Sequence, residues 1–205
     1  MSSLTKRAAL LAAAGVLTVG TLAACSNTSD DSMRGMDHNA TPMSSSTSGA
    51  TTGSSSDAAR QGDVMFAQMM IPHHEQAIEM ADIALSKSSA SSEVDALATE
   101  IKKAQDPEIT TMREWLTSWG APTSAPTGMD HGSGMMSETD MEELKSAEGK
   151  SFDQMWITMM ISHHKGAVSM AEQVLTTTEN PEVEQMAKAI IKAQKSEIAT
   201  MEDLL

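Results

Sequence analysis

The chain has no tyrosine, and only two phenylalanines and three tryptophans among 205 residues. Aromatics cannot fill a core of that size, so aliphatic side chains and the 19 methionines must. There is one cysteine, Cys25, which excludes a disulfide within the chain and leaves the fold to its core. Basic residues are scarce, 14 against 28 acidic. That balance excludes nucleic acid as a partner, because phosphate binding needs basic patches, and it attracts cations instead. No stretch alternates apolar and polar residues with a period of two, so strands are not expected.

Lys6 and Arg7 precede a mostly apolar run, Ala8 to Ala24, that ends in small residues before Cys25. A basic start and a short apolar run read as a secretory signal, not a stable membrane span. The residues before the sole cysteine look like a bacterial lipobox, with cleavage before Cys25 and a lipid on its thiol. The alternative is a non-lipidated signal cut near Ala24. The expected location is the cell envelope, outside the cytoplasm, with the membrane as partner through Cys25. Cleavage leaves 12 basic and 28 acidic residues, a formal charge of −16.

Residues 25–56 are rich in serine, threonine and glycine, which cannot bury a core and suit a flexible tether. A similar linker spans 120–136. The remaining chain, 57–205, is expected to be one domain of two halves, hairpins 57–119 and 137–205. Four helical segments are predicted. The first covers about Asp57 to Lys87. The second runs from Ser92, where Ser-Glu-Val-Asp resembles a capping box, to Trp119, with Gly120 as its stop. The third runs from a second capping box at Ser137 to about Thr177, with a weak point near Gly149. The fourth follows Asn180-Pro181, which read as N-cap and first helical residue.

The halves repeat one another. Asp63–Leu85 and Asp153–Leu175 share 11 of 23 residues, and Glu93–Leu116 and Glu182–Leu205 share 12 of 24. A duplicated helical hairpin implies an all-α four-helix bundle with a pseudo-two-fold axis.

The repeat carries the chemistry. Met69-Met70-Ile71-Pro72-His73-His74 returns as Met159-Met160-Ile161-Ser162-His163-His164. Imidazole and thioether together are ligands for soft, copper-like metals. A helix advances about 100° and 1.5 Å per residue, so Met69, His73 and Met80 form one stripe, and Met159, His163 and Met170 its copy. His74 falls on a neighbouring face with Met70 and Asp63, as His164 does with Met160 and Asp153. Adjacent histidines therefore cannot point the same way, and which of each pair enters the core is open. Asp63 is about 16 Å along the helix from His74, so it can serve only a histidine on another helix. Gln105, Glu108 and Met112, copied as Gln194, Glu197 and Met201, are candidate ligands or orienters of imidazoles. The methionines have a second reading as core filler. The histidines, if buried, need acids, one another or a metal, because unpaired polar burial costs several kcal/mol. Pro72 and Pro107 each remove a helical hydrogen bond where the copies have Ser162 and Ser196, so the half-sites need not be equivalent.

The other two histidines stand in Gly-Met-Asp-His sequences, with Met36, Asp37 and His38 in the tether and Met129, Asp130 and His131 in the linker. In such segments methionine has no core to fill, and thioether, carboxylate and imidazole together can capture Cu(I), Ag(I) or Cu(II).

Met-Met-Ile-x-His-His, an aspartate ten residues before the first histidine, and Ala-x-x-Met-Ala after the pair resemble the bacterial domain of unknown function 305 family, over residues 57–205. The resemblance implies a ferritin-like four-helix fold, an exported location and, for some members, copper binding and tolerance. Carried over, the family pattern falls on Asp63, Met69, Met70, His73, His74 and Met80, and on Asp153, Met159, Met160, His163, His164 and Met170. The expected function is a lipid-anchored copper- or silver-sequestering protein that catalyses no reaction, acting alone, as a homo-oligomer or with an envelope partner. Two other classes remain. One is a metal-free structural or partner-binding module. The other is a di-iron oxidase of the ferritin type, for which the chain lacks any Glu-x-x-His.

Overall fold

The computed structural model describes residues 53–124 and 134–205. All regular structure among them is helical: α1 (Gly53–Ser86), α2 (Ser92–Ser118), α3 (Glu138–Ser146), α4 (Gly149–Val174) and α5 (Pro181–Glu202). α1 packs along α2, α4 along α5, and α1 against α4, which makes a four-helix bundle of two hairpins, with α3 a short addition against α4. No helix among the described residues is long and apolar enough to cross a membrane.

Local chemistry sets the helix ends. The Ser137 hydroxyl accepts from the Asp140 N–H while the Asp140 carboxylate accepts from the Ser137 N–H, a complete capping box. Asn180 caps α5 through Glu182, with Pro181 in the first turn. Gly120, at φ 66°, ends α2 in the left-handed region, where the Ala121 N–H reaches Leu116 O at 2.9 Å. The cap of α2 is Ser91 rather than Ser92, accepting from the Val94 N–H, so no capping box forms there. The predicted third helix is two. Ala147 and Glu148 are extended and Gly149 turns to φ 55°, so α3 ends at Ser146 and α4 starts afresh.

The turns tie each hairpin to the other. The Ser91 N–H donates to Asp153 Oδ1 on α4 at 3.1 Å. The pseudo-symmetric Asp63 on α1 meets the Thr178 hydroxyl in the α4–α5 turn. Lys87 donates to Lys145 O at 2.9 Å and Ser89 bonds Glu148, fixing the α1–α2 turn on the α3–α4 junction.

The apolar core falls into two clusters. One joins Ala77 to Ala84 of α1 with Phe152 to Ile161 of α4, and takes in Met141 and Leu144 of α3. Trp156 lies fully buried in it and donates from Nε1 to Met80 O at 2.9 Å. The other joins Phe66 to Ile71 of α1 with Ala167 to Val174 of α4.

Candidate metal centre

Because α1 and α4 run antiparallel, the gap between the two clusters is the same gap on both helices. On α1 it holds His73 and His74, on α4 His163 and His164. The repeat thus delivers four imidazoles to one level of the bundle, none more than 1% exposed.

The first histidine of each copy takes the centre. The His73 and His163 rings face each other with centroids 3.8 Å apart and planes inclined at 40°. The second of each pair, about 100° further round its helix, turns to the other helix of its own hairpin. His74 Nε2 lies 2.8 Å from Glu108 Oε2 on α2, and His164 Nε2 2.7 Å from Glu197 Oε2 on α5. In each pair the ring N–H donates to a carboxylate whose side chain keeps 22% and 18% of its exposure. The acids therefore link buried imidazoles to the surface and fix their tautomer.

Burial holds the His163 imidazole well below its ordinary 6.5, reinforced by the charges that His73, His164 and His74 would carry, against a contact with the His73 backbone. The ring is then neutral at pH 7, the form that binds metal. Neither His163 ring nitrogen has a partner of full hydrogen-bond geometry. Gln105 and Gln194, 2% and 3% exposed, also keep buried amide atoms unpartnered: both of Gln105 and Oε1 of Gln194. Buried polar groups are normally satisfied, so this concentration of free donors and acceptors suits a further ligand.

The other candidate residues divide. Met70 and Met160, next to the histidine turn, are fully buried, one in each apolar cluster. Met80 is fully buried beside Trp156, while Met69, Met159 and Met170 are half-buried. Asp63 and Asp153 are held at the turns, each ten residues before the first histidine of its helix, about 15 Å along the axis. Burial raises the Asp63 carboxyl above its ordinary value, against the pull of Thr178 and Arg60. Cys25, Met36, Asp37, His38, Met129, Asp130 and His131 lie outside the described residues.

Gly134 to Met136, just before α3, lie against this level, a contact not expected from the sequence. Gln76, one turn past His73, exchanges two hydrogen bonds with Met136, Nε2 to O at 2.8 Å and N to Oε1 at 2.7 Å. Its copy on α4 is Gly166, which lets Gly134 lie on the helix backbone. A Cβ at Gly134 (φ 100°) would come 2.7 Å from Ser162 O and 3.2 Å from Gly166 Cα and His163 O. The signal was a glycine inside a helix where the other half has glutamine.

Among the described residues no group of three or more His, Cys, Asp or Glu side chains converges to hold a metal. The donors on offer at this level are the facing His73 and His163 rings, and the bundle also buries thioethers and amides. Nitrogen and thioether sulfur suit a soft ion needing few ligands, not a hard ion needing many oxygens.

The profile of a domain of unknown function, DUF305, matches residues 63–205. A DUF305 protein from Streptomyces coelicolor is similar in structure, at 31% identity and a TM-score of 0.66, over 70% of this chain and 91% of that one. A DUF305 fragment from Deinococcus radiodurans gives 33% and 0.63, over 70% and 94%. CopM in its Cu(II)-bound form gives 34% and 0.60, over 69% and 94%, and its Cu(I)- and silver-bound forms are 35% and 36% identical. No curated protein matches the chain.

Proposed function

Since the chain belongs to the DUF305 family and is similar to CopM, which has been solved with Cu(II), Cu(I) and silver bound, we propose that it binds copper or silver ions outside the cytoplasm and withholds or passes them on. One observation supports this reading most: two buried imidazoles, His73 and His163, face each other in the centre of the bundle. The ion is cargo, and no reaction is required of the protein. The acidic surface raises the local concentration of cations. His73 and His163 hold the ion, neighbouring methionines supply soft sulfur, and Glu108 and Glu197 orient His74 and His164 beside them. A signal segment before Cys25 supports export, and the residues before that cysteine support a lipid anchor on it. The acidic tether and linker motifs at Met36-Asp37-His38 and Met129-Asp130-His131 collect ions for the bundle.

The test is titration of Cu(I) and Cu(II) into the protein and into a variant with His73, His74, His163 and His164 changed to alanine. The variant should lose bound copper. Equal stoichiometry and affinity in both would overturn the bundle site. A metal-free helical module has one observation in its favour, that His74 and His164 already have carboxylate partners. It requires a melting temperature unmoved by copper, zinc and iron.

A further inference from the structure

The pseudo-two-fold symmetry fails at one pair of places, and the failure exposes a second set of soft donors. Met65, Met69 and Met170 match Met155, Met159 and Met80 in the other half. Met80 is fully buried, and Met155 and Met159 rest on the same apolar cluster, to which α3 contributes Met141 and Leu144. No residue of α3 belongs to the opposite cluster. There Met65, Met69 and Met170 line an open cavity of about 390 Å³ between α1 and α4, with Gly62, Gln173 and Thr177 on its wall.

Methionine fills core gaps because it is flexible and apolar. That role accounts in part for Met170, which packs against the second cluster, but not for Met65, which is 38% exposed, or for three methionines lining one open cavity from two helices. Met65 and Met69 are one turn apart on α1, so their side chains lie on the same face, and Met170 comes from the facing helix. Acidic residues do not line the cavity, so hard cations find no charged oxygen there. Thioether sulfur selects Cu(I) and its like.

We propose that Met65, Met69 and Met170 form a separate site for a soft monovalent cation, Cu(I) or Ag(I), at the surface end of the α1–α4 groove. Met69 is one turn, about 6 Å along the helix, from His73, so an ion held there lies near the level of the buried centre. The proposal shares the metal-handling reading of the histidines but rests on different residues, and the two are separable by experiment.

The experiment uses the full chain labelled at its methionine methyl groups, titrated with Ag(I) and watched by NMR. The Met65, Met69 and Met170 methyl signals should shift first and together, in the native protein and in a His73→Ala/His163→Ala variant alike. In parallel, Met65→Leu/Met69→Leu/Met170→Leu, a swap that conserves volume and apolar character, should lose one equivalent of Ag(I), or bind it at least tenfold more weakly, and keep the histidine-dependent equivalent. Unmoved methyl signals, or a triple-leucine variant that binds as the native chain does, would overturn the surface site. Loss of binding only in the histidine variant would leave the buried centre standing and remove this one.

Discussion

The Glu108–His74 pair gives the sharpest energetic prediction. His74 has no exposed side-chain surface, and its Nε2 is 2.8 Å from Glu108 Oε2. Glu108→Ala removes the only hydrogen-bond acceptor seen at that nitrogen and leaves a buried N–H facing none. A hydrogen bond to a charged group contributes roughly 1.5–3 kcal/mol, and stranding one member of a fully buried pair costs about 3–5 kcal/mol. Glu108 keeps 22% of its side-chain exposure, so water can reach the vacated place and recover part of the loss. The expected cost is about 2 kcal/mol. For a domain of this size that is a fall of roughly 4–8 °C in Tm. The control is Glu79→Ala, which removes a pair with Lys145 whose members are both 52% exposed and should cost no more than about 0.5 kcal/mol. Urea unfolding followed by circular dichroism measures both. Glu108→Gln, which keeps an acceptor oxygen, should regain most of the stability. If Glu108→Ala and Glu79→Ala unfold alike, the carboxylate does not support the buried imidazole and the reasoning fails.

The native protein should lose stability in mild acid partly through His163. Its folded value is depressed, so the unfolded chain takes up the proton first; the stabilisation is complete above about pH 6.5 and is lost as the pH falls from there toward the folded value, at up to about 1.4 kcal/mol per pH unit. His163→Gln should flatten that acid slope in urea melts, and an unchanged slope would contradict the burial argument. Trp156→Phe removes a buried indole and its bond to Met80 O, and should cost about 2 kcal/mol in the same assay, against under 0.5 kcal/mol if the indole were incidental. Gly134→Ala forces a side chain into positive φ, about 1–2 kcal/mol in itself, and against the α4 backbone. Amide exchange at Met136 should quicken as the Gln76 bonds loosen, and full protection there would refute the docking.

Much of the bundle was legible because its signals are local. The duplication set two equivalent hairpins, and Ser137, Asn180-Pro181 and Gly120 marked ends through their own hydrogen bonds. The wheel argument, that adjacent histidines must diverge, needs only helical geometry, and the structure shows His73 and His163 inward and His74 and His164 toward Glu108 and Glu197. Which of each pair faced in was not legible, because it depends on how α1 lies on α4. Ser91 and Ser92 offer identical caps one residue apart, and only the tie from the Ser91 N–H to Asp153 distinguishes them. The same tie explains why the aspartates stand ten residues from the histidines: they bind turns of the opposite hairpin. The docking of Gly134 on Gly166 and of Met136 on Gln76 is a long-range pairing in which the two halves differ, so the repeat itself concealed it.

The central claim is that the two copies of the motif meet to make one copper-binding centre from His73 and His163. The most direct test is anomalous diffraction from crystals grown with copper. A copper peak is expected at mid-bundle within bonding distance of nitrogen atoms of both rings. Copper bound only elsewhere, with the two rings still facing each other 3.8 Å apart, would contradict it.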